Sequence, residues 1–168
     1  MDFSIEYLAD HPSAIPDIAA WHLKQWGRIL PDFSPDTYQR FLSTHYKRDA
    51  IPTMFVALHE GNVIGTAALE DDDMDTRPEL TPWLASLYVD EKYRHNGVGE
   101  ALVKKVIDEA RRLEVKKIYL FTPDRQHYHE RFGFQTVFQE NYYGEMESVM
   151  ILDLARPKNP SRLWWIDE

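Results

Sequence analysis

Two glycines, Gly97 and Gly99, lie where a strand-like segment passes into a helix-like one. Glycine lets a ligand approach the backbone closely, and the free amides in the first turn of a helix bind anions, assisted by the helix dipole. A phosphate or pyrophosphate is the anion that such a turn would hold. Arg94 precedes this turn and could add a charge-assisted contact to the same phosphate.

Two common phosphate-binding motifs do not fit these glycines. A Rossmann fingerprint needs a further glycine at the position of Leu102, close after an early strand of a parallel unit. A Walker A loop needs Gly-Lys-Ser or Gly-Lys-Thr, which is absent from the sequence. The alternative to an anion site is a tight strand-to-helix turn without a ligand.

A second polar group follows downstream. His127 and His129, with Asp124 and Glu130 nearby, suggest a metal site, but residues two apart on a helix point in different directions. We therefore predict no metal here. The chain has no cysteine, which excludes a thiol nucleophile, disulfides and cysteine zinc sites, and Ser86 lacks the context of a nucleophile elbow.

An acidic run from Glu70 to Asp75 separates two strand-like segments. Runs of like charge usually face water, so the pattern favours a solvated loop. The alternative is that Glu70 is a catalytic base or a cation anchor, in which case the run would attract a polyamine, an aminoglycoside or a lysine-bearing peptide. In that case Trp83 and Tyr88 could form the aromatic walls of a cleft that holds the cation, although Trp83 is equally suited to the core.

The elements that must position these residues follow from hydrophobic spacing. Residues at helical spacing predict helices from about Pro12 and from Ser34-Pro35, a long helix from Val98 to Leu113, and a short one over 126–132. Short apolar runs and period-two alternation predict the strands. They lie at 5–8, 54–58, 63–69, 83–89, 118–121, 134–138 and 149–154. The order β-α-α-β-β-β-α-β-α-β-β predicts a mixed α/β domain.

Length, charge and composition narrow the class of protein. A chain of 168 residues with 43% hydrophobic residues suits one globular domain over 1–168, in which residues 155–168 form a tail. A net charge of −9 argues against a nucleic-acid partner. No segment has the features of a signal peptide or a membrane span, so we expect a cytoplasmic protein with no membrane partner.

Two motifs are separated by a strand-like segment and a long helix. The first is Arg94-x-x-Gly97-x-Gly99, which lies between the segment Leu87-Tyr88-Val89 and the long helix. The second is His127-Tyr128-His129-Glu130-Arg131-Phe132-Gly133-Phe134. Together they resemble the GNAT N-acetyltransferase superfamily, in which the second motif reads aromatic-Tyr-Glu-Lys/Arg-Leu-Gly-Phe. The resemblance extends over residues 3–154. It implies a mostly antiparallel sheet of six or seven strands flanked by about four helices.

The resemblance also implies an activity and a set of site residues. It implies direct transfer of an acetyl group from acetyl-CoA, as co-substrate, to an amine of a small molecule or peptide, possibly cationic. Main-chain groups of Leu87 and Val89, beside Tyr88, would pair with the pantetheine arm. Amides from His95 to Glu100 would hold the pyrophosphate; these residues are His95, Asn96, Gly97, Val98, Gly99 and Glu100.

The sequence departs from the family at the tyrosine that often protonates the leaving thiolate. Alignment back from Gly133-Phe134 places His129 at that position and Tyr128 before it. An imidazolium of His129, the phenol of Tyr128, or water could supply the proton. The alternative function is a non-catalytic acyl-CoA-binding sensor or partner-binding module, and transfer to a hydroxyl or of a longer acyl chain is also open. A homodimer is possible.

Overall fold

The computed structural model describes residues 1–155, so the predicted tail lies almost wholly outside the described residues. The predicted order of strands and α-helices is confirmed within that range. The strands are β1 Ser4–Tyr7, β2 Thr53–His59, β3 Asn62–Glu70, β4 Trp83–Val89, β5 Lys117–Thr122, β6 Gln135–Tyr142 and β7 Glu145–Asp153. The α-helices are α1 Ile15–Trp26, α2 Pro35–His45, α3 Val98–Arg112 and α4 Gln126–Glu130.

The seven strands form one mostly antiparallel sheet in the order β1-β2-β3-β4-β5-β7-β6, as the resemblance implied. The exception is the parallel contact of β4 with β5, whose only register pair is Trp83 with Tyr119. The two strands therefore pair near their starts and separate towards Val89 and Thr122. This separation opens the sheet at its centre.

The two faces of the sheet are covered by different helices. The apolar stripe of α3, which includes Leu102 and Val106, is fully buried against β2, β3 and β4. Helices α1 and α2 cover the opposite face, where Ile18 and Leu42 are buried among side chains of β2 and β3. Helix α2 starts at a capping box between Ser34 and Thr37.

Cross-strand register shows which side chains share the face of α1 and α2. Glu70 pairs with Trp83, Trp83 with Tyr119, and Phe121 with Val149. Directly paired residues point to the same face, and so do residues two apart on a strand. Glu70 on β3 and Glu147 on β7 therefore project from the same face of the sheet.

Several predicted boundaries were wrong by a few residues. Two short 3₁₀ turns precede α1, which begins at Ile15 rather than near Pro12, and α4 ends at Glu130. The last strand begins at Glu145, four residues before the predicted Val149. Hydrophobic patterning misses this end of β7 because exposed and acidic residues occupy it while the ladder with β6 continues to Tyr142.

Candidate active site

One cleft of about 1380 Å³ runs between the separated strands and the connection from α1 to α2. Its lining includes every predicted site residue except Asn96. The side-chain amide of Asn96 instead donates to the carbonyls of Tyr93 (3.1 Å) and Arg94 (3.0 Å), and so stabilises the turn that leads into α3. The structure thus brings together residues from β3, β4, α3 and α4.

A bulge interrupts β4 where it borders the cleft. Thr66 pairs with Tyr88 but Ala68 pairs with Ala85, so β4 carries one extra residue between these pairs. Ser86 has a φ of 54°, in the left-handed region. The bulge takes Leu87 out of regular register with β3, and Leu87 lines the cleft.

A buried chain of hydrogen bonds holds this bulge. The Thr66 hydroxyl donates to the Ser86 carbonyl at 2.8 Å. Thr66 Oγ1 in turn accepts from His22 Nε2 at 2.9 Å, and His22 Nδ1 accepts from the Tyr38 hydroxyl at 2.7 Å. Burial lowers the pKa of His22 to about 3, so the imidazole is neutral and carries the single ring proton that this assignment needs.

The turn before α3 has the features of an anion site. Gly97 caps the helix with a φ of 81°, and a Cβ there would meet nothing within 4 Å. The amides of Val98, Gly99 and Glu100 belong to the first turn and have no carbonyl partner within the helix. A side chain at Gly99 would come within 3.1 Å of the Tyr128 hydroxyl. This turn therefore has both the donors and the space that a pyrophosphate requires.

Cationic side chains surround this end of the cleft. Arg94 is exposed and folds back on β4, where its Nε donates to the Val89 carbonyl at 2.9 Å and its guanidinium lies 5.5 Å from the Tyr88 ring centre. Arg131 lines the cleft from beyond α4. The Glu100 carboxylate is compensated by Lys104 at 2.9 Å and by Arg131 at 3.5 Å.

The two candidate proton donors differ in environment. Tyr128 lies half-buried against Gly99, and burial raises its pKa, so the phenol keeps its proton at neutral pH. His129 is 7% exposed, and its Nδ1 has no hydrogen-bond partner among residues 1–155. Burial, followed by the charge of Arg125, lowers the pKa of His129 to about 4. The expected imidazolium is therefore not populated at neutral pH, which argues against that role for His129.

The acidic run is not a uniformly solvated loop. Glu70 is only 7% exposed and contacts His45 Nε2 at 2.9 Å, whereas Asp71 and Asp72 are exposed. Burial and then the charge of Glu70 raise the pKa of Asp73 well above its ordinary value. The favoured interpretation of this run was therefore wrong for Glu70, because β3 continues to that residue and α2 packs beside it.

A further carboxylate, Glu147, escaped the sequence analysis. It lines the cleft from β7, is 2% exposed, and has an Oε2 atom without a hydrogen-bond partner in the described part of the chain. Arg28 Nη2 lies 3.6 Å from the other oxygen. The acidic residues that begin β7 were a possible signal, but sequence alone does not show that β7 lies beside β5.

The two aromatic residues have different roles. Trp83 is fully buried, donates from Nε1 to the Leu80 carbonyl at 2.7 Å, and belongs to the core with Tyr119. Tyr88 lines the cleft and stacks on Trp21 with ring centres 5.4 Å apart. Of the two candidates for an aromatic wall, only Tyr88 borders the cleft.

Residues 1–155 can also be compared with the requirements of a metal site and of a membrane-spanning helix. No group of three or more histidine or acidic side chains in that range has the arrangement of a metal site. His127, the neighbour of His129 in the sequence motif, is fully exposed and contacts Glu130 at 3.2 Å. No helix in the same range is long and apolar enough to cross a membrane.

Residues 15–134 match the acetyltransferase (GNAT) family. An N-acetyltransferase from Staphylococcus aureus Mu50 has a TM-score of 0.70 at 18% identity, over 92% of this chain and 99% of that one. An acetyltransferase from Streptococcus agalactiae 2603 has a TM-score of 0.66 at 20% identity, over 90% of this chain and 98% of that one. A GNAT family acetyltransferase from Elizabethkingia anophelis with acetyl-CoA bound has a TM-score of 0.56 at 18% identity, over 72% of this chain and 84% of that one. At these identities the likeness concerns the fold.

Proposed function

Because the chain belongs to the GNAT acetyltransferase family, we propose that it transfers the acetyl group of acetyl-CoA directly to an amine. The observation that carries the proposal is the polarity of one continuous cleft. Amides and arginines border its end at the start of α3, and buried carboxylates border the part near Glu70 and Glu147. An anionic donor and a cationic acceptor are thus attracted to different parts of one cleft.

The donor end suits acetyl-CoA. The amides of His95 and of Gly97 to Glu100 would hold the pyrophosphate, and Arg94 would turn from Val89 to reach it. The backbone of Leu87 and Val89 beside the gap would hold the pantetheine arm. Acetyl-CoA supplies the thioester carbonyl that the acceptor attacks.

Tyr128 is the group we assign to protonate the departing thiolate. Its hydroxyl lies at the first turn of α3, and its raised pKa keeps the proton in place until negative charge develops on sulfur. His129, neutral and packed against Tyr128 at a ring distance of 5.1 Å, would hold that phenol in position.

The acceptor end favours a cationic amine. Glu70 and Asp73 lie close enough that the charge of Glu70 raises the pKa of Asp73, so a cation bound there would relieve the repulsion. This supports a small molecule or a peptide that presents an amine. The net charge of −9 adds a general attraction for such a partner.

The test is release of CoA thiol from acetyl-CoA against a panel of polyamines, aminoglycosides, amino acids and lysine peptides. A thiol-reactive dye has no protein background because the chain contains no cysteine. Release that depends on an amine supports the transferase. Binding of acetyl-CoA without amine-dependent release supports the alternative, an acyl-CoA-binding module, and panels of hydroxyl acceptors and longer acyl-CoAs test the remaining variants.

The role of Tyr128 gives a separate prediction. Tyr128→Phe should lower kcat by about 100-fold or more, because general acid catalysis commonly contributes that much. The dissociation constant of acetyl-CoA should stay within about twofold, measured by calorimetry. Tyr119→Phe removes a hydroxyl from a core tyrosine outside the cleft and is the matched control. An unchanged kcat in Tyr128→Phe would transfer the role to water.

A further inference from the structure

Glu147 occupies an unusual position for a carboxylate. It lies on β7 in line with Val149 and Ile151, which belong to the apolar cluster of Trp83 and Tyr119. Its neighbour Ser148 pairs with Thr122, the last residue of β5. Glu147 therefore stands where β5 ends beside the gap, on the face of the sheet that α1 and α2 cover.

The protein itself compensates this carboxylate only in part. Its Oε2 atom is buried and has no hydrogen-bond partner among the described residues. Arg28 lies 3.6 Å from Oε1, but its shorter contacts go elsewhere, to the carbonyls of Tyr142 (2.9 Å) and Tyr143 (2.7 Å) and to Glu145 (2.8 Å). A buried carboxylate oxygen without a donor is unfavourable, and a cationic ligand in the cleft would supply the missing donor.

On the basis of the proposed amine acetylation, we infer that Glu147 binds the ammonium group of the acceptor and accepts its proton. The ammonium donates to the Glu147 carboxylate, which lines the cleft and has an oxygen without a partner among the described residues, while the rest of the acceptor lies along the cleft. Trp26, Phe33 and Phe41 line that cleft, so its walls favour an apolar stem behind the charge. The acceptor class that fits is a primary alkylammonium.

The charges around Glu147 suit the role of a base. Burial first, and then the charges of Glu145 and Asp124, raise its pKa to about 7, against the lowering effect of Arg28. Glu140, its partner across the β6–β7 ladder, is neutralised by Arg77 at 2.6 Å. The ordinary pKa of a glutamate carboxyl, about 4.3, is far below the pKa of an alkylammonium, about 10.4. The raised pKa of Glu147 makes this difference smaller, so proton transfer from the ammonium costs less free energy.

The proton balance is complete without a further reactant. The ammonium gives one proton to Glu147 and becomes the free amine. Its nitrogen forms a bond to the thioester carbonyl carbon, the carbon–sulfur bond breaks, and the thiolate takes the second proton by way of Tyr128. Glu147 then releases its proton to solvent. The products are the amide and CoA thiol.

The experiment compares Glu147→Gln with the wild type in binding and in turnover. n-Hexylamine serves as the probe, and its binding to the CoA-saturated protein is measured by calorimetry. Its acetylation is followed by thiol release from pH 5.5 to 9. We expect at least tenfold weaker hexylamine binding, at least 100-fold lower kcat/KM for the amine, and an unchanged dissociation constant for acetyl-CoA.

The pH profile distinguishes a base from a structural carboxylate. Activity of the wild type should fall as the pH decreases through about 7, because the base must be ionised, and Glu147→Gln should lose that limb. Glu147→Asp should retain the limb at reduced activity. Glu140→Gln, opposite Glu147 but outside the cleft, is the matched control and should keep both activity and profile.

The outcomes separate this inference from the proposed function. Turnover in Glu147→Gln within twofold of the wild type, with the same acidic limb, overturns the inference and leaves amine acetylation standing. Hexylamine binding that needs Glu147, without turnover of any amine, overturns the proposed function and the proton transfer while retaining the ammonium site. No binding of hexylamine to the wild type at millimolar concentration overturns the ammonium site.

Discussion

The hydroxyl of Thr66 connects two parts of the molecule that are distant in sequence. It donates to the Ser86 carbonyl in the bulge and accepts from His22, which accepts from Tyr38. Each donor in this chain has one acceptor, and every side chain in it is buried. The bulge that shapes the cleft is therefore held by specific residues of α1, α2 and β3.

Thr66→Val tests this connection with almost no change of side-chain shape. The variant leaves the Ser86 carbonyl and the His22 ring N–H without their partners, so we expect the free energy of unfolding to fall by about 2 kcal/mol. Catalytic efficiency for acetyl-CoA should fall several-fold as the bulge loosens. Urea unfolding and steady-state kinetics measure both.

The matched control is Thr44→Val on the exposed side of α2, where the hydroxyl donates only to the Arg40 carbonyl of its own helix. That change should stay within about 0.5 kcal/mol of the wild type. Equal stability and equal efficiency in the Thr66 and Thr44 variants would contradict a holding role for the network.

At the scale of elements, the start of α3 is the part of the fold that we propose binds the pyrophosphate of acetyl-CoA. The helix is fixed by its buried stripe against the sheet, while the turn before it leaves space outside Gly97. A rigid helix thus presents free amides at a defined place beside the opened strands. The positions of β4 and α3 together determine where a pyrophosphate and a thioester would lie.

Gly97→Glu tests that site. The substitution adds bulk and negative charge at the proposed phosphate position, so acetyl-CoA binding should weaken by about 100-fold or more in calorimetry. Gly61→Glu is the matched control because Gly61 has a similar φ of 80°, also faces open space, and lies in the β2–β3 hairpin.

Both glycine variants carry the strain of a side chain at positive φ and should lose a similar amount of stability, about 1 kcal/mol. The control should bind acetyl-CoA like the wild type. Wild-type affinity in a folded Gly97→Glu protein would rule out the anion site at this turn.

At the scale of the whole molecule, buried titratable groups link stability to pH. Burial lowers the pKa of His22 to about 3 and that of His129 to about 4. The unfolded chain binds protons at these histidines near pH 6.5 while the folded protein does not, so their contribution to stability decreases on acidification. Glu147, with a raised pKa of about 7, has the opposite effect because the folded protein takes up its proton first.

The two histidine shifts predict a loss of stability from pH 7 to pH 5, which the raised pKa values of Glu147 and Asp73 oppose. Each histidine should lower the free energy of unfolding by about 2 kcal/mol over that interval, and Glu147 should offset about 2 kcal/mol. His22→Gln should therefore reduce the pH-dependent loss by about 2 kcal/mol, measured by urea unfolding at both pH values.

The exposed His127 provides the control, since His127→Gln should keep the wild-type pH dependence. If His22→Gln does not fold, His129→Gln replaces it as the test. This variant should also reduce the loss of unfolding free energy between pH 7 and pH 5. A pH dependence that is the same in the wild type and in both buried-histidine variants would refute this assignment.

The sequence by itself determined the order of elements and pointed to the residues of the proposed acetyl-CoA site. The apolar stripe of α3, the capping box of α2 and the glycines at 97 and 99 are each defined by residue spacing within one helix or turn, so the local sequence is enough to predict them. The acetyl-CoA residues predicted from Leu87 to Glu100 accordingly lie around one cleft, apart from Asn96. Strand ends were less well predicted because pairing with a neighbour extends β7 beyond its apolar residues.

Only the tertiary structure decided what the acceptor would meet. Glu147 reaches the cleft because β7 inserts between β5 and β6, and Glu70 is buried because α2 packs beside the end of β3. The burial of His129, which keeps its ring neutral, depends equally on packing. The burial of these residues and the charges around them come from groups that are distant in sequence. Local residue spacing therefore does not predict such contacts.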